Sequence, residues 1–178
     1  MTDFEPGDNF HKVALQKGPP TDGRPHIWNT LGYQRTVWEP GFQVIEWKAT
    51  EEYAFPTKSG YIVHGGMVST ILDTAMGGSC WTLLNDHEAF LTSNLQVEFH
   101  KATRLGLLRA EGRVMAKSKR AAFCSAALFD EDGKHTASAR CTQIILPANG
   151  SAGRPWHGKD PAEESDEATD DQEVSDAD

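Results

Sequence analysis

Two short features, nine positions apart, carry the residue types that acyl-transfer chemistry needs. His64-Gly65-Gly66 heads an apolar run, and Asp73 is the only charged residue from Gly65 to Leu84. A helix beginning at His64-Gly65-Gly66 turns its first backbone N–H groups outward at the positive end of its dipole. Glycines let an oxygen approach those amides closely. A carbonyl oxygen gathering negative charge could be held there, as in an oxyanion hole. Asp73 is the complementary group. A carboxylate in apolar surroundings costs several kcal/mol unless something partners it. Its reading is a general base on a water or a direct nucleophile on an acyl carbon, and the residues do not separate the two. The plainer alternative is a carboxylate that caps a loop or an interface threonine. His64 likewise reads either as a helix cap or as a group that orients the carbonyl or the loop.

The element that must position these groups is residues 59–85, which read as one long apolar helix. Met67, Val68, Ile71, Leu72, Ala75 and Met76 recur at three- and four-residue intervals. Gly65, Gly66, Ser69, Thr70, Gly77, Gly78 and Ser79 fill most of the remainder. With so little charge around its circumference, this helix is expected to be buried and wrapped by other elements. Nine positions along a straight helix are about 13 Å of rise and roughly 180° of rotation. His64 and Asp73 therefore cannot meet within one chain. They meet if two copies of the helix pack antiparallel, so a real site requires at least a dimer with two sites across a two-fold axis.

The pattern H-G-G followed by D-T-A, with the Asp nine residues after the His, resembles the hotdog-fold acyl-CoA thioesterases of the phenylacetate-pathway type. The likeness extends over about residues 31–146 and takes in Thr92-Ser93-Asn94-Leu95-Gln96-Val97-Glu98-Phe99. It implies an α+β hotdog fold, a curved antiparallel sheet wrapped around one long central helix. It also implies a homodimer or dimer of dimers with sites at the subunit interface, and hydrolysis of an acyl-CoA to free acid and coenzyme A. By the same likeness Asp73, His64, Gly65 and Thr92 are catalytic, Thr92 helping to hold the attacking water, and Gly66 binds substrate. Lys117, Ser118, Lys119 and Arg120 are implied to contact coenzyme A phosphates, and His100, Lys101 and Arg104 form a second such cluster. Coenzyme A belongs to the substrate, so no separate cofactor and no metal are expected. The chain departs from the family at three places. Lys58 stands where an Asn is frequent, Ser118 where Gly is favoured and Ala102 where Pro is favoured. Lys58 is the best support for the alternative, a non-catalytic acyl-CoA-binding module on the same fold. A hydratase of this architecture pairs its histidine with a carboxylate in a different motif.

The 178 residues allow one ordinary domain with tails: a polar, loosely attached lead-in over 1–26, a domain over 27–147, and an acidic tail over 148–178 read as disordered. Of the net charge of −9, residues 149–178 hold ten acids and two bases, so the rest is nearly neutral, with no basic footprint for nucleic acid. No run is long enough to span a membrane, and the polar N-terminus has no secretory core. Cys80, Cys124 and Cys141 lack CxxC spacing, which suggests reduced thiols in a cytoplasmic protein. Asp8 or Asn9 could cap a short helix through Gln16, and residues 27–31 suggest another that ends on Gly32. Strands are expected over 33–38 and 42–50 about the turn Glu39-Pro40-Gly41, then over 89–99, 105–116, 121–129 and 135–146. Asp130-Glu131-Asp132-Gly133 marks a hairpin turn. Trp81 reads as core or as lining for an acyl pocket. Two strands, a helix and four strands make an α+β order with an antiparallel sheet.

Overall fold

The apolar run forms helix α3 (Gly65–Trp81), and the other elements are arranged around it. The computed structural model describes residues 4–15 and 27–147; the acidic tail expected over 148–178 lies outside the described residues. On α3, Val68, Ile71, Leu72, Ala75, Met76 and Cys80 are all buried, as its lack of charge requires. The helix is shorter than its apolar pattern suggested. Residues 60–63 are instead a strand, because Tyr61, Ile62 and Val63 are the aromatic and β-branched types that suit one. They form a hairpin, β3 (Ala54–Thr57) with β4 (Gly60–Val63), absent from the expected order. Gly60, at φ 101°, makes its tight return possible.

The remaining elements are α1 (Asp8–Leu15), α2 (Ile27–Leu31), β1 (Gln34–Glu39), β2 (Phe42–Ala49), a single 3-10 turn at Glu51–Tyr53, β5 (Glu88–Phe99), β6 (Gly106–Lys117), β7 (Ala121–Phe129) and β8 (His135–Pro147). Six strands form one sheet in the order β1-β2-β6-β7-β8-β5, antiparallel at every pairing. With α3 on its inner face this is the expected hotdog architecture. Ile45, Trp47 and Ala49 face inward from β2 while Glu46 and Lys48 face outward, the alternation of a half-wet sheet. The loop after β7 is organised by Asp130, whose Oδ1 accepts from the N–H groups of Asp132 and Lys134, with Gly133 at φ 75°.

Missing side chains let helix and sheet touch. A Cβ on Gly112 of β6 would stand 2.0 Å from the Ala75 carbonyl oxygen, and one on Gly78 would stand 2.1 Å from Gln43. Gln43, fully buried on β2, donates to the Thr74 carbonyl at 3.0 Å and accepts from Arg35 Nε at 2.9 Å. The far end of α3 is held by Gly7 and Asn9 of the lead-in, whose residues 16–26 lie outside the described residues. The Gly7 N–H bonds the Thr82 carbonyl at 2.9 Å, the Asn9 N–H bonds that of Leu84 at 3.1 Å, and the Asn9 side chain bonds that of Asn85 at 3.2 Å. These carbonyls belong to residues 82–85, immediately past the C-terminal end of α3. Among the described residues no helix is long and apolar enough to cross a membrane.

Candidate functional site

Asp73 lies in the middle of α3, half-buried, on the side toward β5. Thr92 of β5 donates from Oγ1 to Asp73 Oδ1 at 3.0 Å, and the same hydroxyl is 3.0 Å from the side-chain amide of Gln143 on β8. The register of β5 against β8 slips between Thr92 and Asn94, and the Asn94 side chain takes the Thr142 N–H at 3.0 Å. Such a bulge re-aims side chains, and bulges gather near functional sites. Burial pushes the Asp73 carboxyl above its ordinary value, and the Thr92 bond opposes that shift. Among the described residues no cation forms an ion pair with it. The arrangement is a carboxylate steadied by one hydroxyl and open to act on a water or a carbonyl carbon.

His64 is the N-cap of α3, at φ −57° and ψ 132°. Its Nδ1 accepts from the Gly66 N–H at 2.8 Å, which places the ring proton of the neutral form on Nε2. The ring leans on Phe55 with centroids 5.0 Å apart. The Met67 and Val68 N–H groups bond the His64 carbonyl. The Gly66 amide is therefore engaged by His64, while the Gly65 N–H has no acceptor among the described residues. Gly65 borders a cleft of about 470 Å³ whose lining includes Ile62, Val68, Phe99, His100 and Lys101. Asp73 is eight positions after Gly65 on α3, about 12 Å along the axis. One chain holds the two halves apart.

Of the expected phosphate-binding residues, His100 and Lys101 line the Gly65 cleft, and His100 Nε2 is 2.7 Å from Ser138 Oγ. Arg104 is differently employed. Its guanidinium donates to the Ser59 and Tyr61 carbonyls, both at 3.2 Å, and to Ser59 Oγ at 3.1 Å, tying down the β3–β4 turn. Lys117, Ser118, Lys119 and Arg120 form the turn from β6 to β7, built on Ser118 Oγ, which accepts from the Ala121 N–H at 3.2 Å. In register, Lys117 faces Ala122, Ala122 faces Gln143, and Gln143 faces Thr92. That turn thus lies level with Thr92, three strand spacings or about 14 Å away. One basic cluster therefore borders the Gly65 cleft, and the other lies level with Thr92 but about 14 Å from it.

Beneath Asp73 the three cysteines are buried, free and close together, Cys124 directly opposite Cys141. Hydrogen bonding to the Cys141 and Cys80 thiols, then burial, push the Cys124 thiol far up, so it does not ionise. Trp81 is half-buried against the core, edge-on to Phe90 with centroids 6.2 Å apart. Gln143 is the residue that motif reading missed. Its signal was periodic: the inward positions of β8 read Ala137, Ala139, Cys141, Gln143 and Ile145, one amide in an apolar series.

The thioesterase superfamily pattern matches residues 60–137. A Saccharolobus solfataricus protein bearing the name "Putative esterase SSO2140" is 30% identical over 108 residues, 61% of this chain and 74% of that protein. The Escherichia coli PaaI protein from the phenylacetic acid degradation operon superposes with a TM-score of 0.64 at 19% identity, over 78% of this chain and 91% of that one. A phenylacetic acid degradation-related protein from Ralstonia eutropha JMP134 gives a TM-score of 0.66 at 24% identity, over 77% and 99%. At those identities the two structures speak to the fold.

Proposed function

This chain belongs to the thioesterase superfamily, whose family-level activity is thioester hydrolysis, and from that premise we propose that it hydrolyses acyl-coenzyme A in a site completed by a second copy of itself. The observation that carries the reading is Asp73: a half-buried carboxylate with no ion-pair partner among the described residues, steadied by Thr92 at 3.0 Å. A thioester carbon is already electrophilic and a thiolate leaves readily. One carboxylate and one oxyanion donor therefore suffice. Asp73 takes a proton from water as the water oxygen bonds to the carbonyl carbon, or attacks that carbon itself. The Gly65 N–H of the partner subunit receives the negative oxygen. The C–S bond then breaks and the thiolate departs as coenzyme A, taking up a proton; on the direct-attack route water then hydrolyses the acyl–Asp73 anhydride, releasing the acid and restoring the carboxylate. Burial helps the first step, because a base with a raised pKa drives proton abstraction better.

The dimer this requires is supported by β5, the last strand of the sheet. Its outer edge is long, and it carries exposed Leu91, Leu95 and Phe99, the kind of edge that pairs with another chain. Antiparallel pairing of β5 with its copy about the middle of the strand would bring the Thr92 end of one strand beside the Phe99 end of the other. A Cβ on Gly65 would be 3.3 Å from the Phe99 ring, so the same pairing brings Asp73 to the open amide across the interface. It also sets the basic turn at Lys117–Arg120 and, about four strand spacings or 19 Å across the joined sheet, His100 and Lys101 of the partner subunit on either side of Asp73, two clusters suited to phosphates. This reading is cytoplasmic, where three free thiols stay reduced. The rival reading, binding without hydrolysis, draws on Lys58, which sits exposed in the β3–β4 turn.

The test is thiol release over a panel of aromatic and aliphatic acyl-CoAs, followed by subunit mixing. Gly65→Pro and Asp73→Asn are each expected to be nearly inactive alone. Refolded together in equal amounts they should recover about one quarter of wild-type activity, since half the dimers are mixed and each holds one intact site. No thiol release by the wild type from any acyl-CoA defeats the hydrolase, and no recovery on mixing defeats the shared site.

A further inference from the structure

We infer that Gln143 is a positioning residue for Asp73: it directs the single proton of the Thr92 hydroxyl onto the carboxylate, leaving the other carboxylate oxygen free to react. The inference rests on the reading of Asp73 as the reacting group. Gln143 is fully buried, so water cannot satisfy its amide. Its partners are Thr92 Oγ1 at 3.0 Å and Cys141 Sγ at 3.2 Å. Thr92 stands directly opposite it in the β5–β8 pairing. With Oε1 toward Thr92, two acceptors, Gln143 Oε1 and Asp73 Oδ1, face one hydroxyl proton. A half-turn of the amide exchanges Oε1 and Nε2 in place and leaves the Thr92 proton a single acceptor. Nε2 then donates to Thr92 Oγ1, Thr92 donates to Asp73, and the Cys141 S–H donates weakly to Oε1. In that state the Thr92 proton has only Asp73 to go to.

This chain of bonds opposes the effect of burial on Asp73, which otherwise favours the protonated, unreactive form. The ionisable groups that face it are few. Cys141 on β8 interacts electrostatically with Asp73, Cys124 on β7 lies behind Cys141, and Cys80 lies on α3 itself. β5 presents the hydroxyl of Thr92, and β2 and β6 present no charged group to it among the described residues.

The experiment compares Gln143→Glu, Gln143→Met and Thr92→Val with the wild type, each checked for folding by thermal melting. The readouts are the Asp73 carboxyl titration, followed by carbon-13 NMR, and the pH profile of thiol release. Gln143→Glu keeps the shape but replaces the donor with a carboxylate that competes for the Thr92 proton. It should raise the Asp73 midpoint by about one pH unit or more and lower kcat about tenfold or more with little change in KM. Thr92→Val should raise the midpoint as well. Gln143→Met leaves Thr92 with Asp73 as its acceptor and should move both readouts less than Gln143→Glu does. A wild-type Asp73 titration in folded Gln143→Glu overturns the inference, as does a Gln143→Met effect equal to that of Gln143→Glu, which would mean packing alone. The titration needs no turnover. Midpoints that move as expected in a protein releasing no thiol would sink the hydrolase while leaving this network standing.

Discussion

Asp73→Asn exchanges one oxygen for an NH2 group and removes a charge that no described cation balances. The asparagine keeps the shape of the side chain, and its Oδ1 can still accept from Thr92 at the present 3.0 Å. What it loses is the ability to take a proton or attack carbon. General bases contribute about 10²–10⁴-fold, so the barrier should rise by about 2.7–5.5 kcal/mol. Stability should move the other way. Burial raises the folded-state pKa of Asp73, so the folded protein favours the protonated carboxyl. That contribution is fully present below the unfolded value and is lost as pH rises through the folded value. At neutral pH the ionised carboxylate is a liability that asparagine does not carry. The variant should therefore melt at or above the wild-type temperature at pH 7, with the gap narrowing as pH falls toward the ordinary carboxylate range. Thiol release and melting curves at two pH values check both parts. Turnover within threefold of wild type, or a clear loss of stability at pH 7, would refute the reasoning.

Gly65→Pro deletes the one open amide at the head of α3. Proline is tolerated at the first helical position, and the extended backbone of His64 suits the residue before it. Circular dichroism should show an intact helix while kcat falls about 10²–10³-fold. Gly112→Ala drives a methyl to 2.0 Å from the Ala75 carbonyl, so α3 must shift off the sheet. The denaturant midpoint should report a loss of about 2 kcal/mol or more. Lys119→Ala with Arg120→Ala removes two exposed charges from the turn level with Thr92. KM for acyl-CoA should rise several-fold with kcat held and with a weaker salt dependence; a change confined to kcat would contradict phosphate contact there. Arg104→Ala should speed amide exchange across residues 57–61, because its guanidinium holds that turn.

Much of this protein was already determined along the chain, because the relevant interactions are local. Helical spacing from Met67 to Met76 and the absence of charge identify a buried central helix. Alternation in β2 identifies its wet and dry faces, and Gly41 and Gly133 mark turns through their positive φ angles. The separation of His64 and Asp73 on one helix follows from pitch alone. The chain could not disclose interactions whose partners lie far apart in sequence. The strand at Tyr61–Val63 looked helical because an apolar run reads alike in either element, and only pairing with residues 54–57 decides between them. The chain gave no sign that Arg104 would tie down the turn at Ser59, 45 positions earlier. His64 took the Gly66 amide for itself, leaving Gly65 as the open donor. The Gln143–Thr92–Asp73 line joins β8, β5 and α3, with Gln143 and Thr92 51 positions apart in the chain. Burial turns such a line from optional to obligatory, since a polar group shut away from water must find its partner in whatever the fold brings beside it.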